Sequence, residues 1–172
     1  AISTCALADG QGHVPATVDE ARRRYGIEGA IYPLGSGPDC RDISAPLYRH
    51  CEQPCGPFWA AVMANWDAVL GDVRLLRTRF YPVVREIARF FANYMQIDPA
   101  TGRYRLWPTQ PAEYYYLDKA NPPATLTLVR RTLAFAISAA RRLRTDALLV
   151  RQWQDVLDRF PEYPRDRGVW TI

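Results

Sequence analysis

Residues 124–160 read ATLTLVRRTLAFAISAARRLRTDALLVRQWQDVLDRF, and this stretch decides the fold class. Leu126, Val129, Leu133, Ile137 and Ala140 recur at steps of three and four, which places them on one face of an α-helix. Thr145-Asp146 then offers a cap, and Leu149, Trp153, Val156, Leu157 and Phe160 repeat the period until Pro161 stops it. Two helices, 124–144 and 146–160, joined by so short a turn must fold back on one another as an antiparallel hairpin. The longest apolar run, Leu133 to Ala140, is enclosed by Arg130-Arg131 and Arg141-Arg142. It is far shorter than the roughly 18–20 residues that span a membrane. A core helix is expected there, and no membrane partner.

The same period extends upstream. Phe58, Val62, Trp66, Val69 and Leu70 fall on one stripe, with Pro57 suited to a first helical position. Gly71-Asp72 punctuates, Asp72 reading as a cap for the turn that holds Leu75, Leu76 and Phe80. Pro82 is expected to end that turn and open a helix over 82–97, its inward stripe being Val83, Ile87, Phe90, Phe91 and Tyr94. Helix 57–70 should pair with 82–97 as a first hairpin. Trp59, Trp66 and Met63 are assigned to helix packing, Asp67 and Glu86 to exposed helix faces. Asp98 to Gly102 is a turn, and 103–123 is a long aromatic loop broken by Pro108, Pro111, Pro122 and Pro123. Pro164 to Gly168 reads as another turn.

The first 56 residues differ in kind. They carry dense Gly and Pro and read as a loop-rich segment with one short helix, opened by the capping box Thr17-Val-Asp-Glu20 and stopped at Gly26. Ile27 to Tyr32 fits a brief extended piece. Residues 57–172 are the helical hairpins, and two hairpins leave part of their apolar stripes uncovered. The partner expected on those faces is the remainder of the same polypeptide, or a second copy.

The composition is that of an ordinary globular chain of 172 residues, 48% apolar and 23% charged, with a net charge of +4. Of its 22 basic side chains only Lys119 is a lysine. The arginines are scattered and have acids beside them: Arg85 next to Glu86, Arg159 next to Asp158, Arg22-Arg23-Arg24 after Asp19-Glu20. Phosphate-binding surfaces concentrate unpaired charge, so no nucleic-acid partner is expected. Cys5, Cys40, Cys51 and Cys55 fit disulfides in an exported protein, extracellular or periplasmic, with three connectivities open. A zinc site from His50, Cys51, Cys55 and Cys40 matches no common spacing, so no metal and no cofactor is expected. The start at Ala1, without Met, reads as a cleaved or truncated terminus. His13 and His50 have no triad partner at a recognisable spacing, and no phosphate-cradling Gly motif occurs.

Gly71-Asp72, Leu76, Tyr81-Pro82, Ile87-Ala88, Phe90-Phe91, Tyr94, Asp98, Thr101-Gly102, Tyr104, Pro108 and Glu113 together resemble a stretch of the six-hairpin (α/α) glycoside hydrolases. The string is most similar to the family 95 group of inverting α-L-fucosidases, and Tyr25-Gly26-Ile-Glu-Gly29 resembles the entry to that region. The resemblance covers about residues 20–172. It implies a mainly α fold, part of an (α/α)6 toroid, with the family's paired asparagines before Ala1 and its general-base Asp after Ile172. The isolated segment would then be inactive. Where the family has Ser-Pro-Glu followed by Asn, this chain has Gln110-Pro111-Ala112-Glu113 and then Tyr114.

Inverting hydrolysis needs one protonated carboxyl near the leaving oxygen and one carboxylate activating water on the opposite face. By the resemblance Glu113 is the proton donor. Its neighbourhood of Pro111, Tyr114-Tyr115-Tyr116 and Trp107 is apolar, which favours the protonated form. Trp107, Gln110, Tyr114 and Tyr115 would line the sugar site, since aromatic faces stack on sugar C–H faces while amides and phenols bond hydroxyls. The expected function is thus a segment of a glycoside hydrolase with a carbohydrate substrate. The alternative is a non-catalytic helical-hairpin module that binds a glycan or a protein.

Overall fold

A computed structural model describes residues 15–32, 54–109, 120–167 and 169–170. They are mainly helical, as the periodicity predicts. The elements are α1 (Pro15–Tyr25), α2 (Cys55–Leu70), α3 (Val73–Leu75), a π-helical turn (Leu76–Phe80), α4 (Tyr81–Tyr94), β1 (Gln96–Ile97), β2 (Tyr104–Arg105), α5 (Pro123–Leu143), α6 (Ala147–Asp158), β3 (Arg165–Asp166) and β4 (Val169–Trp170). Gly71 in the left-handed conformation closes α2 and turns the chain into α3–α4. Arg144, also left-handed, does the same between α5 and α6.

Cross-links between helices fix their directions. Tyr81 bonds Asp146 at the start of α6 while Gln152, further along, bonds Asn93 near the end of α4, so α4 and α6 run the same way. Arg130 in the first half of α5 lies over Phe160 just past α6, so α5 runs opposite to both. Two antiparallel hairpins result, and α5 packs on α2, α4 and α6 alike. This is the helical-hairpin arrangement expected of a toroid segment.

The inward stripes of the two central helices are those predicted. Val83, Ile87, Phe90, Phe91 and Tyr94 of α4 are buried, as are Leu126, Val129, Leu133, Ile137 and Ala140 of α5. Each large side chain so removed from water contributes roughly 1.5–3 kcal/mol. Trp153 and Val156 of α6 and Met63 of α2 complete the core, joined by Ala21 of α1 and by Ala30, Ile31 and Tyr32.

Helix α2 corrects the sequence reading. Its buried face is Gly56, Pro57, Ala60, Met63 and Asp67. Four of the five predicted stripe residues point outward instead, Phe58 being 54% exposed, Trp66 44%, Val69 83% and Leu70 57%, while Val62 is half-buried. Small residues face inward because neighbouring groups come close: a Cβ on Gly56 would meet the Tyr32 ring at 3.3 Å and Ile87 at 3.4 Å. Asp67 and Glu86, expected on exposed faces, are both buried. Arginines account for this: Arg142 of α5 pairs with Asp67 across the fold, and Arg85 (2.7 Å) and Arg89 (3.5 Å), its own neighbours on α4, flank Glu86.

Several helix boundaries differ from expectation: α2 begins at Cys55, two residues ahead of Pro57, α6 ends at Asp158, and three further differences have a clear physical reason. Helix α1 begins at Pro15, which suits a first turn, so Thr17 lies inside it and is not its cap. Its carbonyl accepts from Ile31 N at 3.3 Å. Pro82 does not start a separate helix, because the chain is helical without a break from Val73 to Tyr94. A proline inside a helix has no N–H for the carbonyl four residues back and crowds it. The π-turn absorbs this, Tyr81 N donating to Leu76 O five residues back. Helix α4 stops at Tyr94, three residues early, where extended Met95 leads into β1. The cap at Thr145-Asp146 is also redirected. Asp146 makes no cap hydrogen bond and instead accepts from the Tyr81 hydroxyl at 2.7 Å and pairs with Arg85 at 3.2 Å. Burial first, then this carboxylate, raises the Tyr81 phenol far above its ordinary pKa.

Asp72 caps as read, its carboxylate accepting from Arg74 N at 2.8 Å and Leu75 N at 3.1 Å. Asp72→Ala is therefore expected to cost about 1 kcal/mol in urea unfolding, and Asp72→Ser only part of that. An equal loss for both would show that the cap hydrogen bonds do not matter. Arg22, Arg23 and Arg24 pair with Asp19 and Glu20 as expected, whereas Arg159 pairs with Asp155 one helical turn back and not with Asp158.

Candidate functional site

The connections sort by length onto the two ends of the hairpin layer. The short turns at Gly71-Asp72 and Arg144–Asp146 lie at one end. The end of α4, the start of α5 and the end of α6 lie at the other, with the β1–β2 hairpin, residues 106–109 and the β3–β4 hairpin. Binding groups gather where a rigid layer presents its long connections.

The β1–β2 hairpin is built on the predicted turn. Gly102 N donates to Asp98 O at 2.8 Å, Ala100 N to the Asp98 carboxylate at 2.9 Å, and Gln96 pairs with Arg105 across the strands. Tyr104 ties this hairpin to α6, its amide donating to Arg159 O at 2.9 Å and its hydroxyl to Asp155 at 2.8 Å. Arg159 lies 5.0 Å over the Tyr104 ring. Partial burial, then the Asp155 hydrogen bond, raises the Tyr104 phenol's pKa, while hydrogen bonds from Arg159 and Tyr104 hold the Asp155 carboxyl low.

Beyond β2 the chain enters a neck. Leu106 is fully buried, its amide donating to the Asn121 side-chain oxygen at 2.8 Å and its carbonyl accepting from Asn121 N at 3.0 Å. Two residues on, the Pro108 carbonyl accepts the Tyr94 hydroxyl. The Tyr94 ring is stacked on Phe90 at 5.4 Å and edge-on to Tyr25 at 5.5 Å, so this anchor belongs to the core. Trp107 projects between the two anchors, 38% exposed, with the Arg105 guanidinium 5.2 Å over its ring. The Trp107–Pro108 peptide is cis, and Thr109 behind it is fully buried.

Of the residues predicted for the site, the structure therefore places Trp107 as a solvent-facing aromatic on a fixed backbone. Gln110, Glu113, Tyr114 and Tyr115 lie outside the described residues, as do Cys5, Cys40, Cys51, His13 and His50. The periodicity did not single out Tyr94, Arg105 or Asn121 for a site. The one available signal was Asn121 ahead of Pro122-Pro123, since asparagine tolerates the left-handed backbone (φ 56°) found there. Among the described residues no group of three or more His, Cys, Asp or Glu gathers as a metal would require. The buried carboxylates Asp67 and Glu86 are already held by arginines.

A groove of about 700 Å³ opens at the same end, lined by Arg103, Arg130, Asp158, Glu162, Tyr163 and Arg165 among others. Within it Arg103 donates to Phe160 O at 3.1 Å and lies 3.5 Å from Glu162, and Arg130 covers Phe160. No described helix is long and apolar enough to cross a membrane.

Comparison with known families identifies the layer. Residues 19–168 match the glycosyl hydrolase family 95 catalytic domain. No curated protein matches the chain.

Proposed function

The chain belongs to glycosyl hydrolase family 95, matched over residues 19–168, and from that premise we propose that it forms the proton-donating part of an inverting glycosidase acting on α-L-fucosides. Glycoside hydrolysis is the family's chemistry and carbohydrate its substrate. The match carries the reading, and the exposed, anchored Trp107 supports the position of the sugar at the long-connection end.

In this reading the sugar stacks on Trp107, with Gln110, Tyr114 and Tyr115 as hydroxyl partners. Protonated Glu113 gives its proton to the glycosidic oxygen as the C1–O bond breaks, so the leaving sugar departs as an alcohol. Water attacks C1 from the opposite face, losing a proton to a second carboxylate, and the anomeric configuration inverts. The exposed face of α2, with Phe58, Trp66, Val69 and Leu70, is covered by further hairpins of the same polypeptide or by a second copy. The four cysteines support an extracellular or periplasmic setting.

The test is proton NMR of 4-nitrophenyl α-L-fucoside hydrolysis by the full-length gene product. β-L-Fucose is expected as the first sugar formed. α-L-Fucose first would mean retention and would refute the inverting step, while turnover of other glycosides alone would refute the fucoside assignment. Tyr114 in place of the family's Asn favours the alternative, a module that holds a glycan without cleaving it. That reading predicts saturable sugar binding with no turnover of any glycoside.

A further inference from the structure

We infer that Asn121 and Tyr94 are positioning residues for Trp107, holding it at the angle in which its ring receives a sugar. The inference rests on the assignment of Trp107 to the sugar site. An exposed tryptophan is a useful platform only if its backbone cannot drift, because otherwise binding must pay the entropy of ordering it. Here the residue before it and the residue after it are both fixed. Leu106 is held by two hydrogen bonds to Asn121, at 2.8 and 3.0 Å, and Pro108 by the Tyr94 hydroxyl. The two anchors come from different parts of the fold, Tyr94 from the end of α4 and Asn121 from just ahead of α5.

Asn121 does two things at once. Its left-handed backbone (φ 56°) turns the amide toward Leu106 O, and its side-chain oxygen accepts from Leu106 N. Glycine would keep the first and lose the second, whereas aspartate would keep both. Phenylalanine at 94 would keep the packing on Phe90 and Tyr25 and lose only the hydroxyl. The variants thus separate positioning from folding.

The experiment labels the full-length gene product with 5-fluorotryptophan and assigns the Trp107 line by its loss in Trp107→Phe. Asn121→Gly and Tyr94→Phe are expected to shift or broaden that fluorine line and leave the other tryptophan lines in place. KM for 4-nitrophenyl α-L-fucoside, or for whichever aryl glycoside the wild type turns over, should rise about tenfold with kcat within a factor of two or so; tenfold corresponds to about 1.4 kcal/mol of binding. Asn121→Asp should restore both readouts. An unchanged Trp107 line in both Asn121→Gly and Tyr94→Phe overturns the inference, as does an unchanged KM when Trp107→Ala itself raises KM. If Trp107→Ala leaves KM unchanged, the sugar-site assignment falls and the inferred role falls with it. The fluorine line then still shows whether the two anchors hold the residue.

Discussion

Glu113→Gln in the full-length gene product is expected to lower kcat by about 10²–10⁴-fold on a glycoside with an alkyl or sugar leaving group, the range that a positioned general acid supplies. The loss should shrink with the leaving group's pKa, because a nitrophenolate departs with little help from a proton. KM should change little, since glutamine keeps the size and hydrogen-bonding reach of the carboxyl. A loss that is the same for nitrophenyl and alkyl glycosides would mean that Glu113 binds or shapes the site without donating a proton. No loss at all would transfer the acid's role to another carboxyl. A stopped assay across a series of aryl leaving groups, with kcat plotted against leaving-group pKa, reads these outcomes apart.

The second large effect concerns folding. Gly29→Ala is expected to destabilise the protein by about 3 kcal/mol or more, because strained backbone and overpacking would act together. Gly29 has φ 119°, and a Cβ there would lie 2.2 Å from Phe90 N and 2.6 Å from Glu86 O. Neither is a flexible side-chain tip; both are backbone atoms of α4. The segment is pressed onto that helix by Ala30 N donating to Glu86 O at 2.9 Å and Asn93 donating to Glu28 O at 3.2 Å, with the Glu28–Arg89 pair alongside. Gly71→Ala is the control. Gly71 is also left-handed (φ 62°), but nothing lies within 4 Å of its missing Cβ. Its substitution should cost only the backbone preference, about 1–2 kcal/mol. Urea midpoints that fall equally for the two variants would show that contact with α4 is not what requires Gly29.

Those two glycines illustrate what the sequence makes legible. Turns and inward stripes built from large apolar residues announce themselves, as α4 and α5 do. Helix α2 misleads for a physical reason: its inward face is Gly56, Pro57, Ala60, Met63 and a carboxylate, and one large apolar residue among small and charged ones does not mark a face by hydropathy. The burial of Asp67 depends on Arg142, 75 positions away, a distance no local pattern spans. Asp146 looks like a cap and acts instead through Tyr81 and Arg85. Pro82 looks like a break, yet a π-turn carries the helix through it. Trp107 stands out in the sequence as a candidate of the aromatic stretch, but its anchors do not. The pairing of Asn121 with Leu106 and of Tyr94 with Pro108 exists only once the helices are packed.

The central claim is that sugar binds at the end of the helical layer that carries the long connections. Hydrogen–deuterium exchange of the Glu113→Gln full-length gene product, with and without a saturating glycoside that the wild type hydrolyses, tests it most directly. Slower exchange is expected over 104–109 and no change at the short turns around Gly71 and Thr145. Protection at the short-turn end, with 104–109 unaffected, would contradict it.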